Sequence, residues 1–412
     1  MSLSNEYTPI IAEIGTRNIR IGFAGDPLPS ATQCTSAKYP YQFHDEYPQF
    51  LDVDDSAMNK HQRANVIEQM VAEQPEIKQL IQIYGSERHK WIHLNRSPSG
   101  RTNATEEDWH LQDLLADMLR DDLVLAPRRC KVILVDRGFS IATKFRLCEQ
   151  LLNRFKFKSV ITCPSAVLSV MGANERNGLV LDFGWESLGV SSVVDLRDVS
   201  QRIEEIFTLG GLTLHYMVVR ELIRLDNPHV NEHLLARKDL FEIVEDFIMN
   251  GMFVLPYGER IDDHTLADFK ITDDVFVPGL LRYKVVEDLY FKNESLRQSI
   301  TGVLESTNID TRPLLLDNVI IAGGVSGIPG FKYRMVQEIK AWTGAKGVVG
   351  KPTLGAWAGC SMYVSSVLVN EDKSVWKEQE VTRDIINSLT TENGVKLAGL
   401  PDSVNAIHKI GR

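Results

Sequence analysis

Three short segments of this 412-residue chain carry the residue types that handle phosphate and metal: EIGTRN at 13–18, DFGWES at 182–187 and AGGVSGIPG at 322–330. Glu13 and Asp182 are carboxylates of the kind that face a hydrated magnesium ion, and Thr16 and Ser187 place hydroxyls nearby. Gly15, Gly184, Gly323 and Gly324 have no Cβ, so backbone amides can come close to an anion. A nucleotide cleft between two lobes needs this combination: amides from both sides, carboxylates for the cation, and a glycine loop beside the base and ribose. Each piece alone also reads as a turn cap, a turn hydroxyl or a tight strand-to-helix turn. The three in this order are what carry the nucleotide reading.

Elements that would position these residues are legible around them. TPIIAEIGTRNIRIGFAG (8–25) has two apolar runs about a turn near Gly15 to Asn18, which predicts a hairpin. NGLVLDFGWESLGVSSVVD (177–195) repeats the arrangement, with Asp182 lying 169 residues after Glu13. Apolar run, acid, glycine and second apolar run, occurring twice, predict duplicated α/β lobes. Between the copies come a buried strand at 130–136, a helix over 141–155, a strand at 159–163 and a helix from Pro164-Ser165 to Val170. Helices at 214–224, 233–249 and 277–291 predict an accessory helical subdomain over about 211–310. A strand, glycine loop and helix follow over 314–342, then a helix at 354–368 whose Gly355, Ala356, Ala358 and Gly359 permit close approach of a neighbour. The expected division is a first lobe over 1–170 with a polar insertion at about 40–105, a second lobe over 171–353, and a return to the first lobe with a surface tail over 354–412.

Composition narrows the class. With 45 basic and 55 acidic residues the net charge is −10, which disfavours direct nucleic-acid or anionic-membrane partners. Five scattered cysteines, Cys34, Cys130, Cys148, Cys163 and Cys360, lack metal-ligand spacing and read as reduced, buried thiols. The first ten residues have no leader-like apolar core, and no apolar run approaches the roughly 18 residues that span a bilayer. An intracellular, soluble protein is expected. His229 and His233 lie four apart without further ligands in register, and read as surface or cap residues. Lys144, Arg146, Arg154, Lys156 and Lys158 read as a solvated basic face ahead of a partner contact, Ser165 as a helix N-cap, and Trp357 and Met362 as core.

Five stretches together carry a resemblance: IAEIGTRNIRIGFAGDPLPSA (11–31), ILVDRGFSIATKFRLCEQLLNRFKFKSVITCPSAVLSV (133–170), VLDFGWESLGV (180–190), IIAGGVSGIPGF (320–331) and LGAWAGCSMYVSS (354–366). In this order they resemble the actin-related proteins, from about residue 8 to 370. FKSVITCPSAVLSVM and the WESLG after DFG resemble most the actin-related subunit at the pointed end of dynactin. The resemblance implies an α/β, actin-like two-lobed ATPase fold of the actin, Hsp70 and sugar-kinase type, with four subdomains and duplicated lobes. It implies ATP or ADP with magnesium at Glu13, Gly15, Thr16, Asp182, Gly184, Gly323 and Gly324, with Glu13 and Asp182 reaching the metal through water. The sequence departs from actin at Arg17, which fills a glycine position, at Arg20 for a lysine, and at Trp185 and Glu186 for an acid and a glycine. Glu149 stands, by counting back from Phe155, where a water-orienting glutamine is expected. Slow or absent ATP turnover follows, and with it a structural role in the cytoplasm and cytoskeleton. The implied partners are actin-related filament subunits and other dynactin pointed-end subunits. The alternatives are a nuclear chromatin-remodelling subunit and an active sugar-kinase-like ATPase.

Overall fold

The computed structural model describes residues 7–35, 60–74, 76, 78–80, 104–200, 204–261, 266–368, 379–391 and 394–395. Most of the polar stretch at 40–105, and the tail after 395, lie outside the described residues.

Side chains alternate across a strand, and this alternation builds the first sheet. Thr8–Ile14 (β1) buries Ile10, Ala12 and Ile14 on one face and Ile11 on the other. Asn18–Phe23 (β2) returns antiparallel to β1, and Ala31–Cys34 (β3) pairs antiparallel with β2. After helices Lys60–Glu73 (α1) and Ala104–Asp117 (α2), Cys130–Asp136 (β4) joins β1 in parallel. Ile141–Glu149 (α3), capped by the Ser140 side chain accepting from the Thr143 amide, leads to Val160–Pro164 (β5), which lies parallel to β4. The order is β3-β2-β1-β4-β5.

The second sheet repeats this plan. Ser165–Gly172 (α4) carries the chain to Gly178–Phe183 (β6). Leu188–Val194 (β7) returns antiparallel, and Arg197–Asp198 (β8) and Glu204–Ile206 (β9) both pair with β7. Helices Gly211–Arg224 (α5) and Leu240–Asp246 (α6) follow, then the short hairpin Phe269–Lys270 (β10) with Phe276–Val277 (β11). Leu281–Val286 (α7) and Glu294–Ser306 (α8) precede Val319–Ala322 (β12), which joins β6 in parallel. Phe331–Thr343 (α9) then leads to Gly350–Lys351 (β13), parallel to β12. The order β13-β12-β6-β7-β8 places each hairpin centrally, with an antiparallel strand on one side and two parallel strands on the other, as in the first sheet. The duplication expected from the two acid-glycine hairpins is present in the topology.

Apolar residues of α5 to α8 share one core with β6 and β7, among them Leu181, Phe183, Leu214, Val218, Val244 and Val286. Leu80 is buried in this second-lobe core, and Glu76 pairs with Arg224 at 2.7 Å. The part of the 40–105 stretch around Glu76 and Leu80 therefore packs on the second lobe rather than standing clear of it.

Gly355–Tyr363 (α10) returns to the first lobe, placing Trp357 and Cys360 against Ile11, Ile133 and Leu168. It crosses α4 so closely that a Cβ at Gly359 would stand 1.8 Å from the Leu168 carbonyl oxygen. The neighbour foreseen for the small residues of this helix is thus α4. The two chain connections between the sheets are also bonded to each other. The Leu354 amide donates to the Gly172 carbonyl at 3.0 Å, and the Thr353 hydroxyl donates to the Ser169 carbonyl at 2.7 Å. Arg383–Leu389 (α11) packs on α3, and Val381 bridges to Val160 at the edge of the first sheet.

Several expectations change. Ser165 is the first residue of α4 rather than its cap, a position taken by Pro164. Lys144 is no part of a solvated face, because its ammonium is buried in an ion pair with Asp136. Trp357 is core, but Met362 is exposed on the far side of α10. His229 and His233 lie against each other with 4.4 Å between ring centres, and His229 Nε2 contacts the Asp274 carbonyl oxygen. Among the described residues no group of His, Cys, Asp or Glu is arranged to hold a metal, and no helix is long and apolar enough to cross a membrane. None of the five cysteines is in a disulfide; Cys34 is only half-buried, the other four are buried, and burial pushes the thiols of Cys148 and Cys163 up to about 12.

Candidate nucleotide cleft

The two hairpin turns have the same hydrogen bond. The Gly15 amide donates to the Asn18 carbonyl at 2.9 Å, and the Gly184 amide donates to the Ser187 carbonyl at 3.0 Å. Gly15 and Gly184 therefore occupy equivalent places at the ends of β1 and β6. The turns face each other across a cavity of about 40 Å3, lined by Gly15, Thr16, Arg137, Gly184, Glu186 and Glu205 among others. At about 10–15 Å3 for one water, this space holds a few waters.

The residue between the turns is one that the loop motifs do not include. Asp136 ends β4, and its Oδ1 accepts from the Gly138 and Phe139 amides at 3.1 and 2.9 Å. Gly138 adopts φ +86°, a conformation that glycine tolerates without a Cβ clash. This turn sends Arg137 from the first lobe toward the second, where its Nη2 meets Asp182 Oδ2 at 3.2 Å. A Cβ added at Gly15 would lie 2.8 Å from Arg137 Nη1, and one at Gly184 would lie 2.8 Å from Nη2. Both glycines thus make room for the same guanidinium. Attraction from Asp182 outweighs the cost of burial and, with Glu13 and Glu205, holds the Arg137 pKa above arginine's ordinary value.

Side chains tie the lobes on either side of it. The Thr16 hydroxyl donates to Glu186 Oε2 at 2.7 Å, linking one turn to the other. Arg17 makes a forked pair with Glu245 of α6, Nε to Oε1 at 3.1 Å and Nη2 to Oε2 at 2.7 Å. Its guanidinium also lies 5.4 Å from the centres of the Trp185 and Phe241 rings. The substituted positions Arg17, Trp185 and Glu186, with Thr16, therefore make contacts across the cleft.

Of the other residues expected to bind nucleotide, Glu13 pairs with Arg20 across the β1–β2 hairpin at 3.2 Å, and Asp182 is the partner of Arg137. Gly323 has φ +85°, and a Cβ there would lie 2.1 Å from the Phe183 carbonyl oxygen. Gly324 faces open space. Glu149 does not join the set. It ends α3, which packs on the sheet face carrying Ile10, Ala12 and Ile14, whereas Glu13 points to the face carrying Ile11. Counting back from Phe155 led to the wrong face of the sheet.

The glycine pair makes a stability test. Gly323→Ala combines a left-handed backbone, at about 1–3 kcal/mol, with a backbone clash, and is expected to lose at least that much. Gly324→Ala is expected to change stability by less than about 0.5 kcal/mol. Urea unfolding of both variants checks this, and equal losses would contradict the distinct environments of the two glycines.

A magnesium nucleotide is the group the fold implies, and the donor set can be tested against it. The place for a cation between the turns is filled by Arg137, and each carboxylate expected to face metal is paired with an arginine. Around the cavity three carboxylates, Asp182, Glu186 and Glu205, stand against one guanidinium, so entering phosphates meet like charge. These residues do not fit a hydrated magnesium ion with a triphosphate.

Comparison with known proteins agrees with the architecture. The actin family model matches residues 4–240 and 230–376. Arabidopsis thaliana actin-related protein 7 is 23% identical over 207 residues, covering 48% of this chain and 54% of that protein. Rice (Oryza sativa subsp. indica) actin-related protein 2 is 20% identical over 353 residues, 80% of each chain. A Neurospora crassa actin-like protein is 22% identical over 376 residues, covering 82% of this chain and 85% of that one. With a family match along nearly its whole length, twin sheets of one topology and a glycine loop after β12, the chain belongs to the actin family and is an actin-related protein with its two-lobed α/β fold.

Proposed function

We propose that this chain is a structural actin-related subunit whose work is done by its surfaces and not by ATP turnover. The observation that carries the reading is the direct engagement of the two hairpin turns, Thr16 with Glu186 and both glycines against Arg137. Within that class we assign it to the pointed end of the actin-like filament of dynactin, in the cytoplasm and cytoskeleton, supporting dynein-based transport. The resemblance of residues 157–171 and of the WESLG turn supports this assignment. A subunit that ends a filament needs only one filament-forming surface, since a heterologous contact used at both ends would repeat without closing.

Native purification of the tagged chain from its own cells is expected to recover the filament and pointed-end subunits of dynactin in stoichiometric amounts. The purified chain is expected not to form homofilaments under polymerising conditions. Stoichiometric recovery of a chromatin remodeller would move the subunit to the nucleus. Long homofilaments would overturn the end-subunit assignment.

A further inference from the structure

This inference rests on the structural-subunit reading and deepens it. We propose that Arg137 is the resident cation of the cleft, holding the two lobes closed so that the fold persists without a magnesium nucleotide. Three observations carry it. The guanidinium reaches the carboxylate of β6 from a turn anchored at the end of β4, so the pair joins one sheet to the other. Its two terminal nitrogens pack on the two equivalent turn glycines, one from each lobe. The ties beside it, Thr16 to Glu186 and Arg17 to Glu245, are made by the chain's own side chains and require no ligand. A guanidinium suits this place, because its rigid fork of donors is always charged and cannot dissociate from the chain as a metal ion can.

The test uses the purified full-length chain. Acid extraction is expected to release no stoichiometric nucleotide. The thermal midpoint is expected to move by less than about 1 °C on adding excess magnesium-ATP or EDTA, whereas a ligand that closes the lobes would shift it by several degrees. Arg137→Ala should lower the midpoint by about 5 °C or more, and magnesium ion alone should restore part of the loss by screening Asp182, Glu186 and Glu205. Arg137→Lys, which keeps a cation, should fall between the two. A wild-type midpoint that drops in EDTA, copurifying ATP or ADP with or without magnesium, or an unchanged Arg137→Ala midpoint would overturn the proposal. Should Arg137→Ala not fold, the wild-type response and the lysine variant decide the matter. A nucleotide-dependent wild type would leave the copurification result of the preceding section standing, so the two readings fail separately.

Discussion

Gly359→Leu is expected to yield little folded protein. A Cβ at this position would lie 1.8 Å from the Leu168 carbonyl oxygen, 2.7 Å from its carbon and 3.0 Å from the Gly172 amide nitrogen. All three are backbone atoms of α4, so no side chain can turn aside to admit the group. Overpacking a core costs about 1–3 kcal/mol where side chains can adjust, and the backbone contact here places the cost at or above the top of that range. Gly359→Ala, which adds the Cβ alone, is expected to lose about 2–3 kcal/mol, roughly 5–10 °C in thermal midpoint. The sign makes the measurement decisive. In an open helix the same change would gain about 1 kcal/mol, because alanine is the better helix former. An alanine variant as stable as the parent would show that α4 and α10 do not cross this closely.

Arg334→Met is the second large effect. Arg334 lies on α9, directly after the glycine loop, and is buried. It reaches Glu338 at 2.7 Å, Glu287 through two contacts at 3.1 Å and the Leu255 carbonyl at 2.7 Å, with its guanidinium 4.7 Å from the Phe291 ring centre. Removing it takes the guanidinium from two buried carboxylates and a carbonyl and leaves Glu287 only the Leu255 amide, a class of change that costs about 3–5 kcal/mol. Adding Glu287→Gln and Glu338→Gln should recover part of that loss, since neutral amides tolerate burial better than unpaired charges. The pH dependence has a definite sign. Burial raises the Glu287 pKa above its ordinary 4.5, against the pull of Arg334. The folded chain then holds a proton that the unfolded chain has released, so stability falls as pH rises from the ordinary value through the raised one. Without Arg334 the upward shift grows, and the deficit of Arg334→Met should be smaller at pH 5 than at pH 7. Urea unfolding at the two values checks it, and a deficit that grows toward pH 5 would contradict the assignment.

The fold was largely legible because its signals are local and repeated. The apolar-acid-glycine hairpin at 8–25 announces itself again at 177–195, and strand alternation with glycine turns defined both copies. The two acids and the glycines of the turns and of the 322–330 loop were picked out by residue type; the structure lines one cavity with Gly15, Thr16, Asp182 and Gly184, sets Glu13 against Arg20 and Gly323 against Phe183, and leaves Gly324 facing open space. What residue type cannot give is the partner across space. Thr16 and Glu186 are 170 positions apart, and Arg17 and Glu245 are 228 apart. Arg137 carried only a faint signal, an arginine and a glycine directly after a buried strand, and its role appears only once β4 is seen beside β1. Lys144 misled for the same reason, and Glu149 because counting along the chain does not fix a sheet face. On a helical wheel a lysine next to a sheet-facing phenylalanine reads as solvated, and only the Asp136 carboxylate at the end of β4 explains its burial.

The joint where Leu354 bonds to Gly172 brings both chain connections between the sheets to one place, and bears on how force passes through the molecule. Two connections held together there act as a single pivot, so one lobe rotates against the other mainly about one axis. A neighbour gripping both lobes would load this joint and the Arg137 contact together, and would bear on the cleft without touching a residue inside.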